Sequence, residues 1–375
     1  MPGPLAGLKI LEFAGIGPCP LAGQLLADLG SDVILIERKS GKARPEEVNH
    51  RGKRSIALNL KSSEGVEVVL KLVSRSDALI EGFRPGVMER LGIGPEECLS
   101  TNPKLVFGRM TGWGQTGPLA MTAGHDLNYL SITGALGMMG RADRPPSPPL
   151  NLIADYGGGT MFLLFGLMAA LWESQRSGKG QVVDAAMCDG VSAMMGLFHT
   201  MRAKGEWSAE RNTNLLDGGA PFYDCYETAD GKFVSIGPLE PPFFQQLAEG
   251  IGLSQTDIDR QYDRAYWPEL KDKIREIIAG KTLAEWEAIF DGSDACLAPV
   301  LTMDEAATNA HNEARETHYE ADGILQAAAA PKFSRSKSGR SAAPQPAGAS
   351  TENILQELGL DSKTLAEYRE RQIIT

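Results

Sequence analysis

Short apolar runs alternate with helical patterns from the start of the chain. Residues 8–14 (LKILEFA) are apolar apart from Glu12, and residues 32–37 (DVILIE) form a second run. Between them, PLAGQLLADLG places apolar residues at helical spacing, with Pro near its start and Gly30 past its end, the asymmetry expected of helix termini. Strand, helix and strand in that order form a βαβ unit, the seed of a parallel sheet. The rhythm continues with EGVEVVLKLVSRSD as an amphipathic helix, DALIEG as a strand, GVMERLG as a short helix and KLVFGRMT as a strand. An apolar helix over residues 160–176 then leads through a Gly-Lys-Gly turn to the strand QVVDAAM. Its longest apolar stretch, Met161 to Trp172, contains Gly166; it is short for a bilayer span and predicts a buried helix.

The pattern changes near residue 205. SAERNTNLLDGGAP is polar and Gly-rich, as a linker is. FYDCYET and KFVSIGP flank Ala229-Asp230-Gly231 and predict a hairpin. Helical patterns follow at PFFQQLAEGIG and over 265–290, then a strand at ACLAPVLT. Residues 327–350 are rich in Pro, Ser and Ala, the composition of an extended connector, and the tail TENILQELGLDSKTLAEYRERQII is amphipathic helix again. The expected division is a large α/β domain over 1–205, a linker over 206–219, a small α+β domain over 220–312, a connector over 313–350 and a helical segment over 351–375. No internal repeat is present.

A length of 375 residues agrees with two lobes, since single cores seldom grow that large. The formal net charge of -11 argues against nonspecific nucleic-acid binding, which needs surplus Lys and Arg. Cys19, Cys98, Cys188, Cys225 and Cys296 are scattered, odd in number and without a C-x-x-C pair, so neither a disulfide framework nor a zinc site is indicated. MPGPLAGLKILEF lacks the basic flank and cleavage site of a secretory signal, and RQIIT is not a peroxisomal address. The expectation is a soluble, cytoplasmic protein with no membrane partner.

Two features suggest binding of an anionic ligand. Gly15, Gly17 and Pro20 follow the first strand and Glu37 ends the second, resembling the dinucleotide fingerprint G-x-G-x-x-G with its acidic residue. Pro20 stands where that fingerprint needs Gly, so a tight turn with a Pro-started helix is the preferred reading over a nicotinamide or flavin site. Residues 38–61 also gather Arg38, Lys39, Lys42, Arg44, Arg51, Lys53, Arg54 and Lys61 against only Glu46 and Glu47. Such a local positive field suits a phosphate-bearing ligand, and Arg38 lies at a strand's carboxyl end, where open α/β sheets bind ligands. A solvated basic loop is the alternative. Arg84 and Arg90 form a second basic pair, or ordinary surface charge.

Among five histidines, only His125 sits in a Gly-flanked, loop-like context, TAGHDLNYL. Alone it reads as a structural or surface histidine ahead of a catalytic one. Asp155, in ADYGGGTMFLLFGLMAALW, reads as a helix N-cap. Equally, it reads as a carboxylate beside exposed backbone amides that would hold a developing oxyanion, with the glycines allowing close substrate approach. Cys19 and Cys225 read as buried packing thiols. The residues alone leave these alternatives open.

The segments PLAGLKILEFAGIGPCP, DLGSDVILIER, RGKRSIALNLKS, IEGFRPGVMERLGIGPE, MTGWGQTGP, AGHDLNYLSITG, NLIADYGGGTMFLLFGLMAAL, SGKGQVVDAAMCDG, LLDGGAPFYDCYETADGKFVSIG and ILQELGL occur in that order. Through them the chain resembles the family III coenzyme A transferases (CaiB/BaiF type) and, within these, the α-methylacyl-CoA racemases, over nearly its whole length. PAGAST departs from the Gly-Glu-His-Thr run of many relatives and leaves the path of that connector open.

The resemblance implies a Rossmann-like large domain built from both chain ends, with 351–375 returning to it, a smaller central α+β domain, and a homodimer of interlocked subunits. It implies coenzyme A contacts at Arg38, at Leu58, Asn59, Leu60 and Lys61, at Gly82, Phe83 and Arg84, and at Arg90. It also implies a run beside the pantetheine and thioester formed by Gly124, Asp126, Leu127, Asn128 and Tyr129 around His125. Asp155 falls where family transferases carry a nucleophilic Asp, whereas transferases usually have a non-basic residue at the position of His125. His125 and Asp155 would therefore be the opposed acid/base pair of a racemase acting on 2-methyl-branched acyl-CoA, with Glu240 supporting His125 and the Asp155 amide holding the thioester oxygen. No metal, and no cofactor beyond the substrate's coenzyme A moiety, is implied. The alternative is a transferase with Asp155 as nucleophile.

Overall fold

The computed structural model describes residues 3–38, 46–336 and 338–374. The chain divides into two compact units: Met1–Thr133, Leu150–Met194 and Glu316–Thr375 form the first, Gly134–Pro149 and Met195–Arg315 the second.

The first unit is built on a six-stranded parallel sheet. Its elements in chain order are β1 (Lys9–Phe13), α1 (Pro18–Asp28), β2 (Asp32–Glu37), β3 (Arg54–Ala57), α2 (Ser63–Val73), β4 (Ala78–Glu81), α3 (Val87–Arg90), α4 (Pro95–Thr101), β5 (Val106–Thr111), α5 (Asp126–Ile132), α6 (Met161–Ser177), β6 (Val182–Ala186) and α7 (Met187–Met194). The strand order is β3-β2-β1-β4-β5-β6. β1 pairs on both edges, with Ile10 opposite Val33 on one side and Ala78 on the other. The order reverses between β1 and β4, and the crevice beyond their carboxyl ends is where such sheets hold ligands.

Most of these strands are covered on both faces, so they read as continuous apolar runs. Glu12 breaks the run in β1 yet is fully buried, and it survives there because the Lys53 Nζ stands 2.6 Å from its carboxylate. Burial still pushes the Glu12 carboxyl up to about 7 against the opposing pull of Lys53. Other basic residues of the 38–61 cluster are engaged in the same way. Arg51 pairs with Asp28, and Arg54 with Asp32 and Glu357. Of the five described cations of that cluster, Arg51, Lys53 and Arg54 are thus taken up by structural ion pairs, while Arg38 and Lys61 border a cleft; Lys39, Lys42 and Arg44 lie outside the described residues.

Both chain ends contribute to this unit. α15 (Thr351–Glu357) and α16 (Ser362–Glu370) bury Ile354, Leu355, Leu365 and Tyr368 in the sheet's core, and the Asn59 N–H donates to the Ile373 carbonyl. The segment expected as a connector over 313–350 instead contains an antiparallel hairpin, β10 (His318–Ala321) and β11 (Ile324–Ala327). Gln326 of that hairpin is buried and accepts from Arg51.

The second unit has α8 (Gly196–Ala203), the antiparallel strands β7 (Asp224–Glu227), β8 (Phe233–Ile236) and β9 (Leu297–Pro299), and α9 (Pro241–Ile251) to α14 (Ala310–Ala314). Its core gathers Phe222, Phe244, Trp267, Leu270 and Trp286. Residues 206–219 are not a free linker. Asn214 is buried, and the Asn212 and Asn214 amides donate to the Asp217 carboxylate, so side-chain acceptors satisfy a backbone that no ladder pairs. The large domain also ends earlier than residue 205, at Met194, and Gly134–Pro149 belongs to the second unit.

α6 departs from expectation as well. Its buried side packs on β5 and β6, but Phe165 and Trp172 are 74% and 64% exposed. With the π-helical residues Leu152–Thr160 that precede it, the helical run covers 26 residues, Leu152–Ser177, long and apolar enough by length and composition alone for a bilayer span. The inferred limit on its length therefore does not hold.

Candidate active site

Among the described residues, two clefts open at the carboxyl ends of the strands of the first unit. The larger, about 880 Å³, is lined by Phe13, Ala14, Ile36, Glu37, Arg38, Leu58–Lys61, Phe83, Val87, Leu91 and Gln372. It brings together six of the expected coenzyme A contacts, Arg38, Leu58, Asn59, Leu60, Lys61 and Phe83. Leu58–Lys61 lies just past β3, not within a strand, so its side chains are free to border the cleft. Gln372 was not anticipated. It adopts a left-handed backbone (φ 54), between the exposed end of α16 and the buried Ile373 and Ile374. Only contacts remote in sequence bring it to the cleft.

The smaller cleft, about 500 Å³, is lined by Ile16–Cys19, Gly82–Pro85, Met110–Trp113, Ala120, Thr122–His125, Tyr129, Asn151, Asp155 and Met187. His125 and Asp155 thus share one cavity, although 30 positions apart in the sequence. Gly82, Phe83, Arg84, Gly124 and Tyr129 line it too. Asp126, Leu127 and Asn128 do not, and Arg90 is exposed on α3, whose cleft-facing neighbours are Val87 and Leu91. The helical period explains the selection: residues i and i+4 share a face of α5, so His125 and Tyr129 face the cleft while the three residues between them turn away.

Each wall has a distinct construction. His125 precedes the first turn of α5 with extended backbone, and its N–H donates to Oδ1 of Asn128 at 3.1 Å. Asn128 therefore positions His125 and does not border the cleft. Tyr129 donates through its hydroxyl to the Gly124 carbonyl and meets Trp113 edge-on, ring centroids 4.7 Å apart. A methyl group at Gly112 or Gly124 would collide with the Tyr129 ring, so both glycines are needed for its seat.

Asp155 is no N-cap. It lies inside the π-helical segment Leu152–Thr160, and its amide is already used: Oδ2 of the buried Asp126 accepts the N–H groups of Ala154 at 2.8 Å and Asp155 at 2.7 Å. The expectation that the Asp155 amide holds a thioester oxygen is therefore overturned. Asp126 instead fixes the turn that presents Asp155. Of the three glycines, Gly158 and Gly159 serve packing. A Cβ at Gly158 would stand 2.7 Å from Val191 and 2.9 Å from the Met187 carbonyl, and one at Gly190 1.9 Å from the Gly158 carbonyl, so they admit α7 against the π-helical turn.

Burial raises the half-buried Asp155 carboxyl above its ordinary value; a hydrogen bond from Asn151 (3.4 Å) and the nearby His125 pull it down, and the Asp126 charge adds to the rise. Gly17, read as part of a tight turn, is indeed the residue before the Pro-started α1. It also stands against Asp155, since a Cβ there would be 3.2 Å from Oδ2, on a backbone with φ 67. Cys19 is buried and its thiol is pushed well up by that burial, whereas Cys225 is exposed, contrary to the packing role expected for it. Glu240 precedes the first turn of α9 in the second unit.

A carboxyl drawn upward and an imidazole lining one cavity can exchange protons with a shared substrate atom. The comparisons with known proteins narrow the chemistry. The model of CoA-transferase family III matches residues 5–351. The chain is 42% identical over 372 residues to the alpha-methylacyl-CoA racemase of Mus musculus, covering 99% of this chain and 97% of that protein. It is 32% identical over 336 residues to the succinyl-CoA–D-citramalate CoA-transferase of Chloroflexus aurantiacus, covering 84% of this chain and 83% of that one. The crystal structure of a CAIB/BAIF family protein from Brucella suis superposes with a TM-score of 0.81 at 25% identity, covering 96% of this chain and all of that one (100%).

Proposed function

The chain belongs to CoA-transferase family III, and from that membership we propose that it is a racemase of 2-methyl-branched acyl-CoA thioesters. The observation that carries this reading is the presence of His125 and Asp155 in one cleft, beside a larger cleft bordered by Arg38 and Lys61; the racemase relative at 42% identity adds to it.

In this reading one of the two groups, as base, takes the proton from the α-carbon. The C–H electron pair becomes the enolate π-bond and charge moves to the thioester oxygen. The other group, protonated, then gives its proton to the opposite face of the α-carbon. Each turnover leaves the two groups with their protonation exchanged, so the enzyme holds one proton and alternates between neutral imidazole with carboxylic acid and imidazolium with carboxylate. Since Asp126 occupies the Asp155 amide, the oxyanion's donor belongs elsewhere on the cleft wall. Arg38, Lys61 and the Leu58–Leu60 backbone would hold the nucleotide portion, and Phe83 and Arg84 the pantetheine. Glu240 would assist His125, and no metal or further cofactor enters. The exposed Phe165–Trp172 face of α6 suits burial against a second subunit, as an interlocked homodimer requires.

A second reading keeps Asp155 as nucleophile, attacking the thioester carbonyl to give a mixed anhydride and free coenzyme A; the Chloroflexus relative supports it. Incubation with a 2-methylacyl-CoA in deuterated water, without an acceptor acid, separates the two. Racemisation puts deuterium at the α-carbon together with inversion. Unlabelled substrate, with acyl exchange appearing once a free acid is added, assigns the chain to the transferases.

A further inference from the structure

Between the two clefts runs one stretch of chain. Gly82–Pro85 borders the smaller, Phe83, Val87 and Leu91 border the larger, and among the described residues Phe83 alone lines both. Apart from Pro85, whose ring fixes one backbone angle, nothing in the local sequence stiffens this stretch. α3 is a single turn entered through Gly86 at φ 79, and a helix that short has little stability of its own.

What holds the stretch is a chain of buried charge below it. Glu81 ends β4 and is fully buried. Its Oε2 accepts the Phe83 N–H at 2.7 Å, and its Oε1 accepts from Nε of Arg109 at 2.9 Å. Arg109 is the register partner of Glu81 on β5 and is itself buried. Its outer nitrogens reach Glu89 on α3, Nη1 to Oε1 at 2.7 Å and Nη2 to Oε2 at 3.3 Å. One guanidinium therefore ties the start of the stretch to its helix and fastens both to the sheet.

We propose that Glu81 and Arg109 are positioning residues, which hold the Phe83 wall so that a ligand lying in the larger cleft delivers its reacting carbon to the smaller one between His125 and Asp155. Neither touches the substrate. An apolar pair in the same places would fold at less cost, because burying two charges forfeits hydration that their attraction seldom fully restores. Burial indeed pushes the Glu81 carboxyl up to about 6, opposed by the Phe83 amide and Arg109. A charged clamp is justified by what it orients: the Phe83 amide needs an acceptor, and a bidentate guanidinium fixes direction as well as distance.

The inference rests on the racemase reading for the identity of the reacting carbon, but its test does not. The isosteric Glu81→Gln and the solvent-side Glu89→Gln are compared with wild type on two substrates, a 2-methylacyl-CoA and the same acyl group on N-acetylcysteamine, which lacks the nucleotide and the pantoyl part of the arm that the Phe83 wall would hold. If the wall aligns the two clefts, Glu81→Gln narrows the kcat advantage of the full thioester over the short one by about tenfold. Glu89→Gln narrows it two- to threefold, and neither changes the short substrate's kcat more than twofold. Equal losses on both substrates would make the clamp a matter of stability alone and overturn the proposal, as would unchanged ratios in variants whose melting temperatures match wild type. Should wild type transfer acyl groups without α-proton exchange, the racemase reading fails, and the same ratio measured by transfer still decides the role of Glu81.

Discussion

The two walls of the smaller cleft solve one problem by opposite means. His125 is exposed, at the entrance to the seven-residue α5, held through its backbone: its N–H donates to Asn128 Oδ1 and its carbonyl accepts from the Asn128 and Tyr129 N–H groups. Asp155 is set inside a helical run, half-buried, with Gly17 against its carboxylate and Asp126 beneath its amide. Two groups that trade one proton work best when their affinities are close, and free imidazole and carboxyl differ by about 2.6 units. Burial lifts the Asp155 carboxyl in the direction of that match. The buried group is also the one that has the more elaborate support.

The largest effects come from removing either wall's functional group. His125→Ala should lose inversion by ~10³-fold or more, at the upper end of what a positioned acid or base supplies. It should retain deuterium wash-in from one substrate enantiomer through Asp155, and Asp155→Asn should retain wash-in from the other. NMR of each enantiomer in deuterated water reads both; a His125→Ala enzyme that still inverts ends the two-wall scheme. Asp126→Ala comes next, because it strips the acceptor from two amides. Each hydrogen bond to a charged acceptor is worth roughly 1.5–3 kcal/mol, and kcat should fall by about 10- to 100-fold with KM little changed. An equal fall in melting temperature and activity, with kcat per folded molecule unchanged, would reduce Asp126 to a fold residue.

Gly17→Ala tests the crowding of the Asp155 side. A side chain at the φ 67 and ψ -117 of Gly17, angles open to little but glycine, costs roughly 1–3 kcal/mol, and its methyl would press on Oδ2 from 3.2 Å. Steady-state kinetics should show kcat/KM lowered by about tenfold, with His125-side wash-in the less affected. The smallest effect is on stability. Because the folded protein binds the Asp155 proton more tightly than the unfolded chain, its carboxylate opposes folding at pH above its raised pKa, and that penalty fades as the pH falls through it. Asp155→Asn should therefore melt slightly higher than wild type at pH 7, with the gap closing toward pH 4. A gap that widens on acidification would mean that the carboxylate is stabilised in place.

Much of this molecule was legible in its residues before any coordinate. Alternating strand and helix patterns specify a parallel α/β sheet, because continuous apolar runs suit strands covered on both faces, and the Ala229–Gly231 turn specifies the β7–β8 hairpin. His125 and Asp155 could be singled out through resemblance, although residue by residue both had ordinary alternatives. Only the tertiary structure decided how the nearby polar groups are spent. Spacing cannot show that Asp126 turns away from the cleft to take the Asp155 amide, that Arg51, Lys53 and Arg54 are engaged by Asp28, Glu12 and Asp32, or that Gln372 arrives from the far end of the chain. The physical reason is range: local sequence sets backbone propensity over a few residues, whereas the partner of a buried charge or amide is chosen by whatever the packed sheet brings within 3 Å of it.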